Sequence, residues 1–176
     1  MSDTLDRRQE RTRQAILDAF TGLLFEQGYG RITMAAVADR ANVGRSTLYE
    51  HFRTKADLLS QGVAPLFAVI AGCVAPEPSA RLLDILRHVR ENQAAGRLLF
   101  LPPTRGALLK ALSGAIAARD DWTPGPLPRG LIADQIAVAL FAILEPWVIG
   151  QAALSAETVA QAMHRSGRAL AIAQET

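Results

Sequence analysis

Residues 33–52 read TMAAVADRANVGRSTLYEHF. Thr33 has the side chain of an N-cap, and Met34, Val37, Ala38 and Ala41 follow at helical spacing. Asn42 tolerates the left-handed conformation that a tight turn needs. Gly44 can open a second short helix, Arg45 to about Phe52. Two short helices around a tight turn have helix-turn-helix dimensions. Any helical corner with turn residues has the same outline, so side-chain chemistry has to decide between the two.

Val37, Ala38, Val43 and Leu48 would face a preceding helix, which leaves Arg45, Ser46, Thr47, Tyr49 and His51 on or near the exposed side. Those are residue types that suit a duplex. Arginine forks onto guanine, hydroxyls reach phosphates or bases, and a threonine methyl fits thymine. The helices that begin after Thr33 and Thr54 each open with free N–H groups able to hold a phosphate, and Lys55 adds a full charge at the second. Tyr49 also has a packing role open to it against the first helix. His51 has two readings, a phosphate contact and a structural histidine.

Outward from this stretch everything reads helical, with no convincing strand. Residues 1–7 are expected to form a floppy arm. From Arg8, the positions Ile16, Leu17, Phe20, Leu23 and Leu24 recur at helical spacing until Gly28 and Gly30 stop the helix. Arg7, Arg8, Arg11 and Arg13 are either a solvated face or an arm on the DNA backbone. Thr54, with Asp57 three residues on, caps a longer helix carrying Leu58, Leu59, Leu66, Phe67 and Ile70, in which Gly62 and Pro65 predict a kink. Pro76 and Pro78 end it. Ser79 opens a fifth helix with Leu82, Leu83, Leu86 and Val89, and Phe100–Pro103 is a break. A helix with Leu108, Leu109, Leu112 and Ile116 follows. Residues 120–128, rich in proline and glycine, form a loop. Two last helices span about Arg129–Gly150 and Ser155–Ala173.

The sequence over residues 33–38 and 42–59, with the core Thr47-Leu48-Tyr49-x-His51-Phe52-x-x-Lys55, resembles the DNA-binding domain of TetR-type bacterial transcription regulators. The resemblance covers about residues 8–60. It implies an all-α homodimer with a three-helix N-terminal DNA-binding domain and a variable helical domain for a ligand. It also implies that Thr33, Arg45, Thr47, Tyr49, His51 and Lys55 lie at the DNA interface, Tyr49 and Lys55 mainly on phosphates, with Arg45 and Ser46 tending to read bases. Gly44 stands where many relatives have Ser, and Ser46 where they have Gly or Ala, which bears on fine phosphate contacts rather than on the fold.

Composition agrees with that class. The chain has 176 residues, 49% of them hydrophobic, enough for a core, and a formal net charge of +2. No apolar run is expected to span a bilayer, and the Arg-rich N-terminus lacks a signal-like apolar stretch, so no membrane partner and a cytoplasmic location are expected. Cys73 is the one cysteine, which excludes an internal disulfide and a cysteine-based zinc site; in its apolar stretch it reads as a small buried hydrophobe. Asp84 and His88 are an i, i+4 pair, better read as a surface pair than as metal ligands. Phosphate-loop, nucleophile-elbow and His-Glu-x-x-His patterns are lacking, so the expectation is no enzyme, no cofactor and no metal.

The expected organisation is a DNA-binding domain at 8–53 and a regulatory and dimerisation domain at 54–176. The expected function is a repressor, bound as a homodimer to a palindromic double-stranded operator and released by a small hydrophobic or amphipathic ligand; the alternative is a C-terminal domain that binds a protein partner. Phe67, Ile70, Leu86, Phe100, Leu108, Leu112, Phe141 and Trp147 are candidates for the ligand pocket, although aromatics in a helical body are as readily plain core. Ile136, Leu140, Leu144, Val159, Met163, Ser166 and Leu170 are candidates for a dimer interface made by the last two helices.

Overall fold

The computed structural model describes residues 2–100, 102 and 104–172. Met1, Leu101, Pro103 and Ala173 lie outside the described residues, and with them the start of the expected arm, half of the expected break and the expected end of the last helix. Among the described residues the chain is built from α-helices and two short 3-10 turns, without a strand.

Helix α1, Ser2–Gln27, starts earlier than Arg8, so residues 2–7 are helical rather than an arm. It ends at Gly28, whose φ of 77° excludes most side chains, and a 3-10 turn at Tyr29–Arg31 leads on. Helix α2, Met34–Ala41, is capped by Thr33, whose hydroxyl accepts the Ala36 N–H at 3.1 Å. Asn42 takes the left-handed conformation at φ 53°, and the Val43 N–H returns to the Ala38 carbonyl at 3.0 Å, which closes the turn. Helix α3, Arg45–His51, begins at Gly44. Helix α4, Lys55–Ala71, has a full capping box between Thr54 and Asp57 and continues as helix through Pro65 into a 3-10 turn at Gly72–Val74.

The expected fifth helix is two, α5 at Ala80–Glu91 and α6 at Gln93–Leu99, broken at Asn92 where the backbone leaves the helical region (φ −110°, ψ 31°). Helices α7, Thr104–Ala117, α8, Arg129–Val148, and α9, Ala156–Ile172, complete the fold. The α7–α8 loop is pinned: Trp122 is buried, its indole N–H donates to the Ile116 carbonyl at 2.9 Å, and Arg129 lies over its ring.

One core runs through the molecule. At the N-terminal end Ile16, Phe20, Val37, Leu48 and Phe52 meet, and Leu58 and Leu59 carry the contact into α4. Each such side chain contributes roughly 1.5–3 kcal/mol on burial. Helix α8 is the spine of the body, with Ile132, Ile136, Leu140 and Phe141 inside, between α7 and α9. Helix α9 also packs on the turn after α4. There a Cβ on Gly167 would sit 2.8 Å from the Cys73 carbonyl, so only glycine fits.

This architecture corrects two expectations. Ile136, Leu140, Leu144, Val159 and Met163 are buried within a single chain, so they are core and cannot form a dimer face. Each helix turns that stripe inward and leaves another, with Leu131 and Val138 on α8, facing the solvent. In addition, Lys55–Val74 and Arg129–Val148 are long and apolar enough to cross a membrane, with mean hydropathies of 1.6 and 1.7. Half of each stretch is buried in the fold, and that core position accounts for the apolarity.

Candidate nucleic-acid interface and the cavity behind it

Helix α3 is held by one side and presents the other. Leu48 is fully buried and Phe52 nearly so, and they anchor the helix in the core. On the opposite side Arg45, Ser46 and Tyr49 are exposed, the Tyr49 ring by 51%, while Thr47 and His51 are half-buried at the edges. His51 lies tilted beside Phe52, ring centroids 6.4 Å apart. Thr33 caps α2 from an exposed position. Of the proposed DNA-facing residues, these six therefore sit on or beside the helix-turn-helix surface.

Lys55 is placed differently. Its ammonium donates to the Tyr29 carbonyl at 2.9 Å and the Ile32 carbonyl at 3.0 Å, and it lies 4.4 Å from the centre of the Tyr29 ring. An ammonium has three donors, so one N–H is left for a phosphate. Spacing along the chain could not reveal this latch, because the carbonyls belong to a turn more than twenty residues earlier. Burial raises the Tyr29 phenol above its ordinary pKa. The Asp57 carboxylate occupies the start of α4, accepting the Thr54 N–H at 2.9 Å, so part of that expected anion site is already filled.

Two arginines brace the unit. Arg40 of α2 grips Glu26 of α1 with two hydrogen bonds of 2.6 Å, and that hydrogen bonding holds the Glu26 carboxyl below its ordinary range. Arg13 bonds to the Gln61 side chain of α4 and lies over the Phe52 ring, which gives it a structural role; Arg8 and Arg11 remain on the exposed face of α1.

Behind this unit lies a cavity of about 760 Å³. Its walls include Phe67, Ile70, Leu86, Phe100, Leu108 and Phe141, six of the eight expected pocket residues. Leu112 and Trp147 are not among them. Both are plain core, and the Trp147 indole N–H is bound to the Leu154 carbonyl at 2.9 Å. The sequence reading missed the wall supplied by α1, from Phe20, Thr21, Leu24 and Phe25. Phe25, a large apolar side chain on this wall, stays 41% exposed. His88 and Asp84 also border the cavity, and among the described residues no group of three metal-ligating side chains occurs.

A three-helix N-terminal unit whose last helix, α3, turns one side outward is thus joined to an all-helical body. Comparison with known proteins bears on this unit: the family described as "Bacterial regulatory proteins, tetR family" matches residues 16–61. It is 40% identical over 117 residues to the HTH-type transcriptional repressor KstR of Rhodococcus jostii, a match that spans 64% of this chain and 55% of the relative. It is 31% identical over 108 residues to the uncharacterized HTH-type transcriptional regulator YdeS of Bacillus subtilis, covering 61% of this chain and 51% of that protein. The chain thus spans about half the length of these curated relatives. A TetR transcriptional regulator from Streptococcus agalactiae superposes with a TM-score of 0.59 at 24% identity, over 95% of this chain and 99% of the other, and shares the fold. Both relatives are described as HTH-type transcriptional regulators, KstR as a repressor.

Proposed function

We propose that the chain is a cytoplasmic, sequence-specific DNA-binding repressor that acts as a homodimer and leaves its operator when a small apolar or amphipathic molecule fills the cavity. The observation that carries the DNA reading is α3: Arg45, Ser46 and Tyr49 stand exposed on a helix whose Leu48 is wholly buried. Residues 8–53 then form the DNA-binding domain and the chain from residue 54 the regulatory and dimerisation domain. Thr33, Thr47, His51 and Lys55 flank the reading face, Lys55 through its remaining N–H.

The dimer face suggested by the fold is the outward stripe of α8 and α9. Leu131 and Val138 are 48% and 51% exposed, and Ala139, Ser166 and Leu170 are half-buried around them. Pairing two such stripes in a four-helix bundle would set two α3 helices about 34–36 Å apart, one turn of DNA. The cavity touches both domains, because α1 supplies one wall and α4 another. An occupant that fits only one arrangement of α1 against α4 would shift the spacing, and a coupling of about 1–3 kcal/mol is typical of such devices.

Mobility shift over a series of salt concentrations tests the DNA reading. Arg45→Ala should relax base preference by about 1–3 kcal/mol, and Lys55→Ala should weaken binding to every sequence and lower the salt slope by about one. Identical behaviour of the two variants would remove the division between base reader and phosphate holder. A purified protein that retards no promoter fragment would end the regulator reading.

A further inference from the structure

Resting on the reading of the cavity as an effector site, we propose that its occupant is an apolar molecule with one uncharged hydrogen-bonding end, seated between Arg81 and Asp84 at the mouth. The cavity is two-sided. Its depth is closed by Phe67, Ile70, Leu108, Phe141 and Leu144, all buried. Its rim carries Arg81, Asp84 and His88 of α5, at i, i+3 and i+7 on one stripe of the helix, and Asn92 just past its end.

The rest of α5 shows that this stripe differs from an ordinary solvated face. Away from the cavity, Arg87 is bound to Glu157 at 2.8 Å and Arg90 to the Leu154 carbonyl at 2.6 Å. On the cavity side, neither the Arg81 nor the Asp84 side chain makes a hydrogen bond or ion pair among the described residues. They are one helical turn apart and opposite in sign. A ligand carrying a full charge would be drawn by one and repelled by the other. A hydroxyl can donate to the Asp84 carboxylate and accept from the Arg81 guanidinium together. The tail must be apolar, because a polar group at the cavity floor would lose its water and find no partner there.

Displacement of the neutral dye Nile red from the full-length protein tests this, with 1-decanol, decanoate and decylammonium as competitors of matched chain length. The expected result is blue-shifted dye emission that decanol reverses at the lowest concentration. Asp84→Asn should reduce the decanoate concentration needed about two- to fivefold, and Arg81→Gln the decylammonium concentration by a similar factor, the size of an exposed charge–charge effect. Both residues are exposed, so both variants should fold. Ile85→Trp, which narrows the mouth from a half-buried position, should weaken dye binding. The inference is overturned if either charged competitor outranks decanol, if the two charge substitutions leave the ranking and the concentrations unchanged, or if the dye fails to bind or ignores Ile85→Trp. If the probes follow the expected order but never release DNA, the effector reading fails and the ligand chemistry stands.

Discussion

The N-terminal unit and the helical body are built from the same kinds of side chain but are specified in different ways. In α1–α3 nearly every boundary has a local cause: Gly28 at φ 77°, the Thr33 cap, Asn42 at φ 53°. Short-range chemistry fixes the direction of α3, and with it the face that is left to the solvent. In the body, α8 has apolar residues on every side, and only its neighbours decide which side is inside. Buried Leu140 and exposed Val138 are two residues apart and equally apolar. The lesson is that a helix with a polar face announces its orientation, whereas an apolar helix has to be placed by what packs on it.

That pair offers the largest test of the contrast. Leu140→Ala should cost about 2–5 kcal/mol of stability, visible as a lowered urea midpoint, because it empties a filled core position. Val138→Asp should change the monomer little and instead dissociate the proposed dimer in sedimentation. If Val138→Asp unfolded the chain and Leu140→Ala left it intact, the inward and outward stripes would have to be exchanged.

Gly167→Ala should come next. A methyl group would press on the Cys73 carbonyl and Cβ, at 2.8 and 2.9 Å, and backbone on both sides must move. Overpacking of this kind typically costs about 1–3 kcal/mol. A melting temperature equal to that of the parent chain would mean that α9 and the turn at Gly72–Val74 slide apart easily, and that the body is looser than the N-terminal unit.

Lys55→Met probes the other region. It keeps most of the side-chain stem and removes the donors that bind the Tyr29 and Ile32 carbonyls. Hydrogen bonds from a charged group contribute about 1.5–3 kcal/mol, and this half-buried site should fall toward the low end. A fall in melting temperature together with weaker DNA binding would mark Lys55 as latch and phosphate holder in one. Weaker binding with unchanged stability would leave only the second role.

The legible parts of the molecule were those with local causes. The turn at Asn42, the caps at Thr33 and Thr54 and the outward set Arg45, Ser46 and Tyr49 could all be read from neighbouring residues. The break at Asn92 could not: asparagine sits in many helices, and here the turn depends on α6 packing against α1. Six cavity residues were found because large apolar side chains of the helical body gather around its interior space. Trp147 misled for the same reason, since only its bond to Leu154 marks it as core. The wall from α1 was invisible because it joins segments that have no relation in sequence.

The last test concerns Cys73, a deeply buried titratable group of the body. Burial pushes its thiol from an ordinary value of 9.0 up to about 12, and the nearby Arg119 charge only partly opposes this. The folded chain therefore keeps the proton where the unfolded chain loses it. The associated stability is fully present below pH 9 and is lost as the pH climbs from there toward 12. At pH 8 a thiol reagent should label Cys73 only as fast as the body opens, with labelling becoming complete in denaturant. Rapid labelling in native buffer would mean that the packing of Gly167 on Cys73 opens readily. The body would then be the mobile half of the molecule, and the N-terminal unit, held by its caps, the rigid one.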